Sequence, residues 1–201
     1  MPQSHAGHSH FPDLSERDME VLRFIGDESL MGFTFEGLRR STGTHAETLS
    51  RILDRLEEQS VLEKAEHGYK VTERGKEFVG LNQISHSAPR VTLLRTLLPH
   101  VENTGEAISS LRGRWFGPLR WLGYAEDDKG TSMKWVTEDG GIQVDAIFSN
   151  DELTIEGRIR EGKDLTDAIK ASHQLVGYIS RVYPAPRNRV AYYTPDLFIP
   201  N

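Results

Sequence analysis

The stretch that decides the fold is Gly43-Thr44-His45-Ala46-Glu47-Thr48-Leu49-Ser50-Arg51-Ile52-Leu53-Asp54-Arg55-Leu56-Glu57. Leu49, Ile52, Leu53 and Leu56 recur at three- and four-residue spacing, which places them on one face of a helix running to about Gln59. His45, Thr48, Arg51 and Arg55 fall on the opposite face. Thr44 and Glu47 have the spacing of a capping box, in which a hydroxyl accepts from the third amide and the carboxylate reaches back. Gly43 permits the sharp turn before it.

Upstream, Ser15 reads as an N-cap with Asp18 three residues on, and Met19, Leu22, Phe24 and Ile25 supply the buried stripe of a first helix. Residues 33–35 predict a short strand and 36–41 a brief helix. Downstream, 61–65 reads as a strand, Glu66-His67-Gly68 as a turn and 69–71 as the returning strand. Thr72 then caps a helix over 73–81. Helix, short helix, turn, longer helix and hairpin is the order of a winged helix-turn-helix, predicted over 13–82 after a polar tail at 1–12.

Residues 83–104 read as a connector carrying a helix at 91–98 that stops before Pro99. From 105 to 201 the pattern predicts an α+β domain for dimerisation or effector sensing. It holds a helix at 105–112, four strands (119–126, 132–138, 142–149, 152–160) and a helix from 165 to about 183. The separators Asp127-Asp128-Lys129-Gly130, Asp139-Gly140-Gly141 and Asn150-Asp151 are short and turn-forming, which suits an antiparallel meander. The expected fold class is therefore α+β: an N-terminal winged helix-turn-helix domain plus a C-terminal antiparallel four-stranded sheet with flanking helices.

The stretches 49–57, 61–64 and Gly68-Tyr69-Lys70-Val71-Thr72-Glu73-Arg74-Gly75 resemble winged-helix regulators of the MarR and ArsR type, particularly archaeal members. The resemblance covers about a third of the chain. It implies a recognition helix, two wing strands and the start of the following helix, in a DNA-binding homodimer that responds to a signal. Ser60 departs from it, standing where the family usually has a glycine before the wing. The cysteines of the metal-sensing branch are absent too, so that chemistry does not transfer.

On this reading a sequence-specific regulator of transcription meets double-stranded DNA through His45, Glu47, Thr48, Ser50, Arg51 and Arg55 of the helix and Lys64, His67, Tyr69 and Lys70 of the hairpin. Thr48 and Arg51 are the preferred base readers, because arginine pairs with guanine and threonine meets an edge or a thymine methyl. Ser50 and Arg55 are better placed for phosphates, which fix register. The competing interpretation has Arg51 and Arg55 pairing with Glu47, Asp54 or Glu58 on a solvated helix, and Tyr69 packing on the hairpin. A protein-interaction adaptor that binds no DNA is the alternative function.

Charge does not favour nucleic acid. Lys and Arg number 24 against 30 Asp and Glu, a formal −6. DNA binding then requires the cations to be sorted onto one face. Zero cysteines exclude disulfides and thiolate metal sites. No apolar run approaches the roughly 18 residues of a membrane span, and no export signal is visible, so a cytoplasmic location is expected. Arg114, Trp115, Arg120 and Trp121, with Trp135 and Phe148, suggest a pocket for a small-molecule effector, set against the plainer reading that the rings fill core. His5, His8 and His10 form a loose cluster without the second-shell support of a metal site, so neither metal nor cofactor is expected. None of the common catalytic motifs occurs, and no enzyme is expected.

Overall fold

The computed structural model describes residues 14–81, 89–98, 104–128, 130–149 and 152–182. The N-terminal tail with His5, His8 and His10, the connection at 82–88, the turn at Asn150-Asp151 and the C-terminal tail lie outside them.

Helix α1 (Glu16–Asp27) starts at Ser15, whose hydroxyl accepts from the Asp18 amide while the Asp18 carboxylate accepts from the Ser15 amide at 2.8 Å. This box is the one expected there. The chain continues through β1 (Gly32–Phe33), α2 (Phe35–Thr42), α3 (Ala46–Glu58), β2 (Leu62–Ala65), β3 (Gly68–Val71) and α4 (Glu73–Leu81). Gly43 closes α2 in a left-handed conformation, φ 71°. Val21, Leu22 and Ile25 of α1 pack with Leu38 and with Leu49, Ile52, Leu53 and Leu56 of α3 in one core.

The expected fold class is overturned: the chain is α+β, but one eight-stranded sheet replaces the N-terminal winged helix-turn-helix domain plus separate four-stranded sheet. The strands β4 (Arg90–Leu97), β5 (Leu119–Asp127), β6 (Gly130–Thr137), β7 (Ile142–Ser149) and β8 (Glu152–Ile159) do not form a separate four-stranded sheet. With β1, β2 and β3 they make a single eight-stranded antiparallel sheet, ordered β2-β3-β1-β5-β6-β7-β8-β4. Residues 91–98, expected to be helical, are extended, because β4 completes the edge by pairing along β8 from Arg90↔Arg158 to Leu97↔Glu152. Helix α5 (Thr104–Ser109) is shorter than expected, and α6 (Leu165–Val182) is as long as its apolar spacing implied.

The join is small. β1 has two residues, Gly32 and Phe33, which pair with Lys70 and Tyr69 on one side and with Tyr124 and Gly123 on the other. Backbone bonds flank it, from the Met31 amide to the Tyr124 carbonyl and from the Thr34 amide to the Leu122 carbonyl, both 2.9 Å. Gly123 makes the approach possible: a Cβ there would strike the Gly32 carbonyl and the Phe33 backbone.

Trp121 and Leu122, adjacent on β5, point to opposite faces of the sheet and so enter different cores. Trp121 joins Trp135, Val144, Phe148 and Ile155 under the Ala168, Ala171, Leu175 and Ile179 face of α6. Leu122, with Val136, joins the core of α1–α3 on the other side of the sheet.

That second face is not all apolar. Period-two alternation turns Lys134, Gln143, Asp145 and Arg158 away from the α6 core, and register sets Lys134 opposite Asp145 and Gln143 opposite Arg158. Into this group comes Glu28, the C-cap of α1, with its side chain fully buried. Its carboxylate pairs with Arg90 (3.1 Å), Lys134 (3.2 Å) and Arg158, and accepts from Gln143 at 2.7 Å. Lys134 also holds Asp145 at 2.8 Å. Burial alone would raise the Asp145 carboxyl, but the charges of Lys134 and Arg90 hold it below its usual range. The network ties α1 to four strands of the sheet.

Candidate nucleic-acid interface

The buried face of α3 leaves His45, Glu47, Ser50 and Arg51 exposed, with Thr48 half-buried beside them. The capping box expected from Thr44 and Glu47 does not form. The N-cap is His45, one residue later, and no side chain caps the helix. Two competing bonds explain the difference. The Thr44 amide donates to the Thr42 hydroxyl (3.3 Å), and Glu47 turns along the helix to pair with Arg51 at 2.6 Å. The free amides of the first turn and the positive end of the α3 dipole therefore face outward, an arrangement suited to an anion.

Arg51 and Glu47 are both exposed, 71% and 69% for their side chains, so their i,i+4 pair contributes little. Arg55 is different. It reaches back to α1 and gives Asp18 two hydrogen bonds, at 2.5 and 3.3 Å. Burial raises the Asp18 carboxyl, but Arg55 and Ser15 together pull it below its ordinary value. The phosphate role expected for Arg55 is thus corrected: its charge is committed to fastening α3 onto α1.

The hairpin stands beside α3. Lys64 pairs with Glu57 at 3.0 Å across the gap between the two, and that carboxylate holds the ammonium more firmly charged. Lys70 lies 3.9 Å from Glu63, and His67 is exposed at the tip. Tyr69 stacks on Phe33 with ring centroids 5.9 Å apart, so its ring belongs to the seam with β1, and burial raises its hydroxyl. Ser60, before the hairpin, sits at φ 58°. That is the left-handed region, which glycine occupies without the steric cost a serine bears.

The structure does not gather the four expected effector residues. Trp121 is in the α6 core, edge-on to Trp135 at 5.2 Å. Trp115 is 66% exposed, with Arg120 lying 4.7 Å over its ring. Arg114 covers Tyr178 at 5.2 Å. Among the described residues, no group of three or more metal-ligating side chains forms, and no helix is long and apolar enough to cross a membrane.

The chain matches no protein-family model, no curated protein and no solved structure.

Proposed function

We propose that this chain binds double-stranded DNA as a sequence-specific regulator of transcription, with α3 entering the major groove and the β2–β3 hairpin lying along the adjacent backbone. The observation that carries this reading is the exposed outer face of α3, with free first-turn amides and Arg51, next to a hairpin bearing Lys64, His67 and Lys70. A major groove admits one helix of this kind, and its edges distinguish all four base pairs. Arg51 and Thr48 read bases; Ser50, Lys64 and Lys70 hold phosphates. The carboxylate partners of Arg51 and Lys70 are exposed and that of Lys64, Glu57, is half-buried, so exchanging them for phosphate costs only about 0–1 kcal/mol per pair. A homodimer belongs to this reading, since one helix reads few base pairs and two heads on a palindrome multiply the selectivity.

A second reading has its own support. Helix α3 carries four acids (Glu47, Asp54, Glu57, Glu58) and two arginines, a surplus that suits a basic protein partner. A gel shift with fragments around the protein's own promoter, repeated at several salt concentrations, separates the two. The DNA reading expects a specific, salt-weakened complex with a slope of roughly −2 in log K against log salt per copy, from the two lysines on phosphates. No shift at any salt concentration refutes it and leaves the adaptor.

A further inference from the structure

A cleft of about 490 Å³ opens between α1, the α2–α3 turn, the first turn of α3 and Arg160 just beyond β8. A recess of about 40 Å³ shares Phe24, Ser41 and Arg160 with it and reaches Gln143 and Arg158 on the sheet. The volume is in the range of sites for small organic ligands.

Its charge is cationic. Arg17 and Arg160 line the cleft against one acid, Glu20; His45 adds an imidazole, and Arg158, already paired with Glu28, lines the recess. Arg160 donates to the Ser41 carbonyl. Two buried polar atoms of the lining residues have neither a hydrogen-bond nor an ion-pair partner, the Ser41 hydroxyl and the Arg158 Nε (the Arg158 Nη2 pairs with Glu28), and Ser41 is only 3% exposed. Buried polar groups are rarely left so, and each such atom marks a place where a ligand or water completes the bonding. Thr44, His45 and Thr48 bring the uncapped start of α3 to the same cleft. Val21, Phe24 and Ile52 supply an apolar wall.

We propose that this cleft binds a small phosphate monoester, its head held by Arg17, Arg160 and the first-turn amides of α3 and its body against Phe24. The donors outnumber what the two oxygens of a carboxylate can accept, whereas a phosphate offers three oxygens and up to two charges. Because His45 and Thr48 belong both to the cleft and to the outer face of α3, a bound dianion repels an approaching DNA phosphate. Ligand and DNA then weaken each other by the same factor. This coupling rests on the DNA reading above; ligand binding does not.

The test is calorimetry and thermal shift on the full chain at constant ionic strength, with adenosine 5′-monophosphate, glycerol 3-phosphate, inorganic phosphate and adenosine as probes. The expected result is saturable binding of at least one phosphate ester and none of adenosine. Arg17→Gln, an exposed change that leaves the fold intact, weakens the ester about tenfold, the worth of one charge-assisted contact, and Glu20→Gln does not weaken it. Equal binding of adenosine, or no saturable signal from any phosphate probe, overturns the proposal. So does an ester affinity unchanged in Arg17→Gln. A gel shift with the bound ester then tests the coupling. If the ester binds but no DNA does, the regulator reading fails and the site stands.

Discussion

Glu28→Gln removes the one carboxylate on which Arg90, Lys134 and Arg158 converge. Counting Asp145, the parent network holds three cations and two anions; the variant holds three and one. Glutamine still accepts from Gln143 and from one cation, so the loss is charge rather than shape. The Lys134 side chain is 3% exposed and that of Arg158 14%, so water does not replace what is removed. Breaking a buried pair from one side typically costs about 3–5 kcal/mol. For a chain of this size each kcal/mol moves the melting temperature by roughly 2–4 °C, so a fall of about 6–20 °C is expected. The assay is thermal unfolding followed by circular dichroism, with urea midpoints as a second measure. Glu47→Gln, which breaks only an exposed pair, serves as the reference and should lie within about 0.5 kcal/mol of the parent. A Glu28→Gln protein within about 1 kcal/mol of the parent refutes the view that this network holds α1 to the sheet.

Gly123→Ala places a methyl against the Gly32 carbonyl, and backbone cannot yield as a side chain does. A loss of about 1–3 kcal/mol is expected in urea unfolding, with hydrogen exchange quickening first around Met31 and Thr34. Ser60→Gly relieves a left-handed residue at φ 58° and should stabilise by up to about 1 kcal/mol, because the strain exceeds the entropy glycine adds to the unfolded chain. The carboxyls of Asp18, Asp139 and Asp145 all lie below their ordinary value of 3.8. Their contribution is therefore complete above the unfolded range and lost as pH falls through and below it, and urea midpoints should drop steeply from about pH 4 downward. Asp18→Asn should flatten part of that acid limb and lower stability at pH 7.

Much of the first half is legible because its signals are local. A 3.6-residue period, a serine with an aspartate three residues on and a glycine after Thr42 specify helices and ends without reference to distant chain. The meander at 119–159 is legible for the same reason, through alternation and short polar turns. What escapes is non-local. The short strand expected at 33–35 falls at Gly32-Phe33, but its role in joining the two parts of the sheet is not local, and only the partner backbone at Tyr124 and Gly123 shows it. Residues 90–97 have too few positions to tell period two from period 3.6, and pairing with β8 decides. Lys134, Gln143, Asp145 and Arg158 do alternate with apolar neighbours, which ordinarily indicates a solvated face. Nothing near them in the chain reveals that Glu28 covers it. At the interface, helical spacing exposes Arg51, whereas the commitment of Arg55 to Asp18 depends on how α1 crosses α3.

The most direct measurement is the affinity of Arg51→Ala, relative to the parent, for a fluorescein-labelled promoter fragment by anisotropy at fixed salt. Arg51 is exposed and bonded only along its own helix, so the variant should melt as the parent does. A base-reading arginine is worth about 1–3 kcal/mol, which predicts a loss of roughly five- to 150-fold on the specific fragment and little on a scrambled one. Equal affinity of variant and parent for the specific fragment contradicts the placement of α3 in the groove.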